Sequence, residues 1–371
     1  MQLEAIRLSR FRNYQDASLS FPEGVTILAG ENAQGKTNLL EAIFLLTGGR
    51  SWRAGKRGDL ISFHQSQAQI QAKVFSRQRE FRMDLTLLRT GKLQSIVNGV
   101  KQKRQSDLSE VFRCVLFSPE DLYLIREGPA ARRRFLDTAL CQLRPRYALA
   151  LGEYNKLLEH KAKILRMQEE NPSLLAVLPD FTRRMAKCGA AVIRYRAFFA
   201  EKLAREAYQI QQTISGCGEE LLAEYQTVST VKDPKASEEA IEGWLLEHAE
   251  SHEKAEMAAG QCLTGPHKDD LLLTVNGSAA RGFASQGQTR TAALALKFAE
   301  REIFKDDQGE YPVMLLDDVL SELDSRRQEY LIGKTGGGQV IITCCERTQR
   351  LRQLQGAAFL VEGGTIAPLN Q

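Results

Sequence analysis

The segment Gly30-Glu31-Asn32-Ala33-Gln34-Gly35-Lys36-Thr37 constrains the fold of this chain more than any other. Its spacing is G-x-x-x-x-G-K-[ST]. It follows the apolar run Val25-Thr26-Ile27-Leu28-Ala29 and precedes Asn38-Leu39-Leu40-Glu41-Ala42-Ile43-Phe44-Leu45-Leu46, which reads as a helix. Strand, glycine-bearing turn and helix in that order make a phosphate-binding loop. Gly30 and Gly35 let the backbone bend sharply, so that the N–H groups from Glu31 through Asn38 can point inward at phosphate oxygens. The helix N-terminus adds partial positive charge. Lys36 supplies a point charge for the β- and γ-phosphates, and the Thr37 hydroxyl is a ligand for Mg2+.

Such a loop is half a site. The other half reads from Pro312-Val313-Met314-Leu315-Leu316-Asp317-Asp318, an apolar strand ending in two acids. A carboxylate at the end of a buried strand beside a phosphate loop can hold Mg2+, directly or through water. Asp317 is the candidate for that role, and Asp318 is placed to orient or activate an attacking water. Acids there also cap helices, and Ser321-Glu322-Leu323-Asp324 opens the next one, with Ser321 a candidate cap. The two motifs lie about 280 residues apart, so something sizeable interrupts one nucleotide-binding core. The 371 residues leave room for it. The expected division is 1–117 for the N-terminal part of the core, 118–260 for a mostly helical insertion and 261–371 for the C-terminal part.

Residues Met1 to Ala29 read as two strands, about Leu3, Ile6 and Leu8 and about Val25, Ile27 and Leu28. Arg12, between them, has two readings: an exposed residue of an edge strand, or a side chain leaning towards the bound phosphates. The loop Gly48 to Arg57 places four cations around Trp52, either as a solvated connection or against a phosphate backbone. Alternation at Ile70, Ala72 and Val74 and at Phe81, Met83, Leu85 and Leu87, with Asn98-Gly99 as a type I′ turn, predicts an antiparallel β-region. Pro129 opens a helical tract whose first turn carries Arg132, Arg133 and Arg134. Those cations are relieved either by solvent or by an anionic partner. Two stripes, Leu151 to Leu165 and Phe181 to Phe199, separated by Pro172 and Pro179, read as an antiparallel helical hairpin. A strand is expected near Tyr225–Val231, a helix over Glu238 to Gln261, and a second Asn-Gly turn at Asn276-Gly277.

No apolar stretch reaches the roughly 18–20 residues of a spanning helix, and the N-terminus lacks the pattern of a secretory signal. Seven cysteines without a C-x-x-C pair argue for a reducing compartment, and the expectation is a cytoplasmic protein. A net charge of +4 permits nucleic-acid binding without demanding it.

Phe283-Ala284-Ser285-Gln286-Gly287-Gln288, before an Ala/Leu-rich helix, resembles the signature motif of ABC-type ATPases. A hydroxyl, a glycine and free N–H groups at a helix start make an anion site in their own right. The resemblance implies that Ser285 and Gly287, with Gln288, bind the γ-phosphate of ATP held by a second subunit. More narrowly, the chain resembles the RecF family, related to the SMC-type ATPases, through Phe11-Arg12-Asn13-Tyr14, the phosphate loop, Ser118-Pro119-Glu120-Asp121-Leu122, Gly128-Pro129 through Asp137, Gly265-Pro266-His267-Lys268-Asp269-Asp270, the signature and Leu316-Asp317-Asp318 with Ser321 to Asp324. It implies an α/β fold, an ABC/SMC-type P-loop ATPase core with an antiparallel β-region and an inserted helical-hairpin domain. It implies ATP and Mg2+ as cofactors and an ATP-dependent homodimer with Asp324 near the dimer interface. It also implies binding to DNA at gaps, with RecO and RecR as partners and RecA as the recombinase loaded.

Three positions depart from the general ABC pattern. Asp318 stands where Glu is usual, which implies slow hydrolysis and a long-lived ATP-bound dimer. Val340-Ile341-Ile342 leads into Thr343 where a switch His is usual, and Ser118 stands where a Gln-loop glutamine is expected. His267 reads equally as structural or as part of a site. Two other functions stay open on sequence: the nucleotide-binding subunit of a membrane transporter, and a scaffold that binds ATP without turnover.

Overall fold

β1 (Gln2–Phe11) and β2 (Tyr14–Ser20) form a hairpin whose turn is Arg12-Asn13, and Arg12 takes the left-handed conformation with φ 58° at Arg10 and 54° at Arg12. Three strands therefore precede the phosphate loop rather than two. The alternation in Tyr14–Ser20 is diluted because only Tyr14 and Leu19 face the core. β3 (Val25–Ala29) is buried throughout and leads into the phosphate loop, from which α1 (Lys36–Leu45) leaves. β4 (Gln67–Ser76), β5 (Arg79–Leu88), β6 (Leu93–Val97) and β7 (Val100–Lys101) continue the antiparallel sheet in the order β2-β1-β4-β5-β6-β7. Alternate residues of β4 are buried, the signature of a sheet with one face on a core and one in water.

The computed structural model describes residues 1–216, 218–334, 336–345 and 356–369. It divides into two units, one of Met1–Tyr123, Ile210–Cys217 and Thr289–Gln371, the other of Leu124–Gln209 and Gly218–Gln288. After β8 (Cys114–Phe117) the second unit contributes α2 (Pro129–Leu143), α3 (Pro145–Met167), α4 (Leu178–Ser215, which runs on into the first unit), β9 (Leu221–Gln226), α5 (Glu238–Ala259), β10 (Asp270–Val275), β11 (Ser278–Ala279) and α6 (Ala280–Phe283). α7 (Gln286–Gln308) returns the chain to the first unit, followed by β12 (Val313–Asp317), α8 (Ser325–Gly333), β13 (Val340–Cys344), β14 (Gly356–Glu362) and β15 (Thr365–Pro368).

In the first unit the second sheet has the order β15-β14-β3-β13-β12-β8, parallel except for the β14–β15 hairpin. β3, β8, β12 and β13 are buried along their whole length, as strands covered on both faces must be. Leu39, Leu40 and Ile43 of α1 share one core with Leu3, Ile6 and Leu8 of β1 and with Leu315 and Ile341 of the parallel sheet. The helix behind the phosphate loop is thus packed between two sheets. Each of its buried leucines is expected to cost about 2–5 kcal/mol on truncation to Ala.

In the second unit α3 and α4 form the antiparallel hairpin: Leu165 and Leu178 share a core near the turn, and Glu153 pairs with Arg184 farther along. The strand expected near Tyr225–Val231 begins and ends earlier, at Leu221–Gln226. It pairs with β10, so residues 261–288 belong to this unit. Among the described residues no helix is long and apolar enough to cross a membrane.

The segment Gly265-Pro266-His267-Lys268-Asp269-Asp270 ties this unit together. Gly265 has φ 113°, and a side chain there would collide with the Tyr154 hydroxyl. His267 Nε2 lies 3.1 Å from the Cys262 carbonyl and so carries the proton, leaving Nδ1 to accept from Tyr154 at 2.6 Å. Burial pushes the His267 pKa down to about 4. Of the three α2 cations, Arg134 is exposed to solvent, and Arg132 and Arg133 find partners within the unit. Arg132 grips Asp270 through two bonds of 2.7 and 2.8 Å, and Arg133 donates to the Asp269 carbonyl. Because the His267 pKa is lower in the folded than in the unfolded state, its contribution to stability is complete above pH 6.5 and is lost as pH falls towards 4, by about 3 kcal/mol at most. His267→Gln should flatten that limb of the denaturation midpoint measured against pH.

Candidate nucleotide site

The phosphate loop is held from outside by the β1–β2 turn and the β14–β15 hairpin. Gly30 has φ 156°, and a Cβ there would strike the Val361 carbonyl. Gly35 has φ 121°, and a Cβ would stand 2.7 Å from the Asn13 amide nitrogen. Asn13 donates to the Gln34 carbonyl at 2.8 Å, Tyr14 donates to the Gly35 carbonyl at 3.0 Å, and Asn38 donates to Asn13 at 2.8 Å. Gln34 accepts from the Gly363 and Gly364 amides. Ala33 sits in the left-handed region at φ 64°, and Glu31, Asn32 and Ala33 are exposed at the loop's crown. The Lys36 ammonium donates to the Gly30 and Glu31 carbonyls and approaches Cys345 Sγ at 3.9 Å.

The strand order brings the acidic motif to this loop. β13 lies between β3 and β12, so its end, Thr343, stands between the loop and the double acid. The Asp317 Oδ1 accepts from the Thr37 hydroxyl at 2.8 Å and from the Thr343 hydroxyl at 2.9 Å. The Asp318 amide donates to Thr343 Oγ1 at 2.9 Å. Burial holds the Asp317 carboxyl above its usual range, opposed by the two hydroxyls and by the charge of Arg53. A buried carboxylate touching the Thr37 hydroxyl at the C-terminal edge of a parallel sheet fits a Mg2+ site. Thr37 and Asp317 would hold the ion, and Mg2+ would offset charge on the phosphates.

Asp318 adopts φ 53°, a conformation that Asp tolerates better than Glu because its short side chain bonds locally. Cys345 Sγ donates to Asn32 Oδ1 at 2.9 Å and lies 3.7 Å from the Asp318 carboxylate. Ser321 donates to the Asp318 carbonyl. The cap of the following helix is Asp324, which accepts from the Arg327 amide, so the helix starts later than Ser321 predicts. Ser118 donates through amide and hydroxyl to Asp121, forming the turn after β8.

Arg12 is engaged by Glu41, the fully buried acid of α1, through bonds of 2.8 and 2.9 Å, and by the Asp59 carbonyl. Its neighbours Asn13 and Tyr14 are the residues that touch the phosphate loop. Two contacts were not expected from sequence. Arg53 donates to the Asn38 side chain at 3.1 Å, and Thr343, noted only as standing where a switch His is usual, bridges the Asp317 carboxylate and the Asp318 amide. Only strand order exposes the role of Thr343.

In the second unit Ser285 and Gln288 form a reciprocal cap at the start of α7. The Ser285 amide donates to Gln288 Oε1 at 2.9 Å and the Gln288 amide to Ser285 Oγ at 3.2 Å. The cap aligns the first turn, with Ser285 exposed, Gly287 half-buried and Phe283 exposed just before them.

A family profile described as the RecF/RecN/SMC N terminal domain matches residues 2–359. The DNA replication and repair protein RecF of Clostridium kluyveri is 36% identical over 99% of this chain and 100% of its own length. That of Listeria innocua is 38% identical over 99% of both. Among solved structures, the recombination mediator protein RecF-ATPrS of the RecFOR pathway superposes with a TM-score of 0.92 at 34% identity, covering 100% of this chain and 98% of that one. The SMC head domain of Pyrococcus furiosus shares the fold, with a TM-score of 0.54 at 16% identity over 99% of this chain and 95% of that one. By its phosphate loop, its double-acid strand and its full-length similarity, the chain belongs to the RecF family of RecF/RecN/SMC proteins.

Proposed function

We propose that this chain is an ATP-dependent DNA-binding protein of recombinational repair and replication-fork maintenance, working in the cytoplasm. ATP and Mg2+ drive homodimerisation on DNA at gaps or single-strand/duplex junctions, and slow hydrolysis resets the dimer. The observation that carries this reading is the Thr37–Asp317–Thr343 cluster beneath the phosphate loop. The RecF-ATP structure, 34% identical over 99% of this chain and 97% of that one with a TM-score of 0.90, and the replication and repair role in the relatives' names support it.

Each ATP is bound by one protomer's loop, Gly30 to Asn38, with Lys36 on the β- and γ-phosphates. The other protomer's Ser285, Gly287 and Gln288 close it from the far side. Arg12, paired with Glu41, holds the β1–β2 turn from which Asn13 and Tyr14 brace the loop, and Asp324 lies near the interface. Asp318 orients the attacking water. RecR and RecO are the partners, and RecA is the recombinase loaded. DNA is contacted through phosphates, with recognition of shape rather than sequence, and stimulates a weak ATPase.

Lys36→Met tests this: ATP-dependent dimers in light scattering and tight binding of gapped DNA should disappear together. A variant that keeps both removes ATP as the dimerisation switch. Asp318→Glu tests the slow step. The longer carboxylate reaches farther, and hydrolysis should change several-fold; an unchanged rate discards the idea that side-chain length limits turnover.

A further inference from the structure

Phe63 is 89% exposed, more than any other large hydrophobic among the described residues. It stands at the tip of a short loop that is pinned at its base. The Arg12 amide donates to the Leu60 carbonyl at 2.8 Å, and the Ser62 amide donates to the Arg10 carbonyl at 2.9 Å. Across the tip the Gln65 amide donates to the Ser62 carbonyl, and His64 takes the left-handed conformation at φ 63°. The Arg89 guanidinium clamps both sides, donating to the Gln65 carbonyl at 2.8 Å and the Ser62 carbonyl at 3.3 Å. The ring is therefore displayed on a fixed support, and its exposure is not the accident of a slack loop.

Its surroundings are cationic. Arg10, whose carbonyl takes the Ser62 amide, and Arg89, whose guanidinium holds the Ser62 and Gln65 carbonyls, are both exposed. Lys56, four residues before Leu60, is exposed as well, and from Ser51 to Gln65 the one acid is Asp59 against Arg53, Lys56 and Arg57. Arg57, which reaches the Gly91 carbonyl on the β5–β6 turn, is held below its usual range by burial and by the Arg50 charge. The other large hydrophobic exposed between Glu41 and Glu80 among the described residues is Phe75, at the opposite end of β4. A rigid exposed aromatic beside exposed arginines suits a nucleic-acid strand. The cations take phosphates, and the ring takes the face of an unstacked base. A paired base inside a duplex does not offer that face.

We propose that Phe63 is the stacking platform for an unpaired base at a gap or junction, and that Arg10 and Lys56 hold the flanking phosphates. This rests on the reading of the chain as a DNA-binding protein and adds which residue senses the single-stranded part. Phe63→Ala, Phe63→Trp and Lys56→Ala are compared with the unaltered full chain, with ATP and Mg2+, on a 30-nucleotide oligo(dT), a blunt duplex and a gapped duplex, by fluorescence anisotropy. Phe63→Ala should weaken oligo(dT) and gapped DNA by about tenfold and leave the blunt duplex within about twofold. Phe63→Trp should restore the wild-type pattern, and Lys56→Ala should weaken all three alike. Equal binding of Phe63→Ala and wild type on every DNA, or equal weakening on duplex and single strand, overturns the platform while the DNA-binding reading stands. Failure of the unaltered chain to bind any of the three overturns both.

Discussion

Asp317→Asn is expected to lower ATP turnover by at least about a hundredfold while leaving the fold as stable as before or more so. The two effects have one cause. The carboxylate sits 6% exposed at the end of β12, and burial holds its pKa above the usual range. Asparagine keeps an oxygen to accept from Thr37 and Thr343 and removes the buried charge. Without ATP, therefore, the substitution relieves desolvation and breaks nothing. With ATP, the charge that would draw Mg2+ to the phosphates is missing. Phosphate release at saturating ATP, the Mg2+ concentration at half-maximal rate and the thermal midpoint of the free protein measure the three parts. Turnover within about threefold of wild type would mean that Asp317 is not a Mg2+ ligand. A marked fall in the thermal midpoint would mean that its charge serves the fold.

Arg196→Met is the reverse case, a residue far from the phosphate loop in sequence and in unit, with a large effect on stability. Arg196 is 3% exposed in α4. It binds the Asp137 carboxylate through two bonds of 2.9 and 3.0 Å, and it donates to Asp269 at 3.2 Å and to the Pro266 carbonyl at 2.7 Å. Asp269 is itself buried, with Tyr225 and Thr227 also donating to it. Removing the guanidinium strands one buried carboxylate and one partly buried one. Breaking a buried pair from one side costs about 3–5 kcal/mol. That is a large share of the roughly 5–15 kcal/mol that keeps a typical protein folded. Urea denaturation should show the loss. Asp269→Asn in the Arg196→Met background should recover part of it, because the stranded charge goes with the carboxylate. A loss below about 1 kcal/mol would mean that water replaces the guanidinium.

Both effects concern residues whose importance reads differently along the chain and in space. The phosphate loop, its strand and its helix were legible because all the information lies within some twenty neighbouring residues: glycine spacing, an apolar run and helical periodicity. Asp317-Asp318 was legible for the same reason, as the end of a wholly apolar strand. β2 was missed and β9 misplaced, because with one or two core-facing residues each strand relies on its partners, β1 and β10, for its register.

The arginines show the limit most clearly. Sequence offered Arg12, Arg53 and Arg132 each two readings, solvated or set against an anion. The fold sends Arg12 to Glu41, Arg132 to Asp270 and Arg53 to the side chain beside Thr37. Likewise Thr343 reads only as the residue in place of a switch His until β13 is inserted between β3 and β12, where its hydroxyl meets the Asp317 carboxylate and the Asp318 amide. By itself the sequence determined which residues can bind phosphate and metal, because those properties belong to side-chain chemistry and local backbone shape. Only the tertiary structure decided which of these groups meet, because the meetings span 138 residues from Arg132 to Asp270 and 280 from Thr37 to Asp317 and depend on strand order and on which groups burial leaves without water.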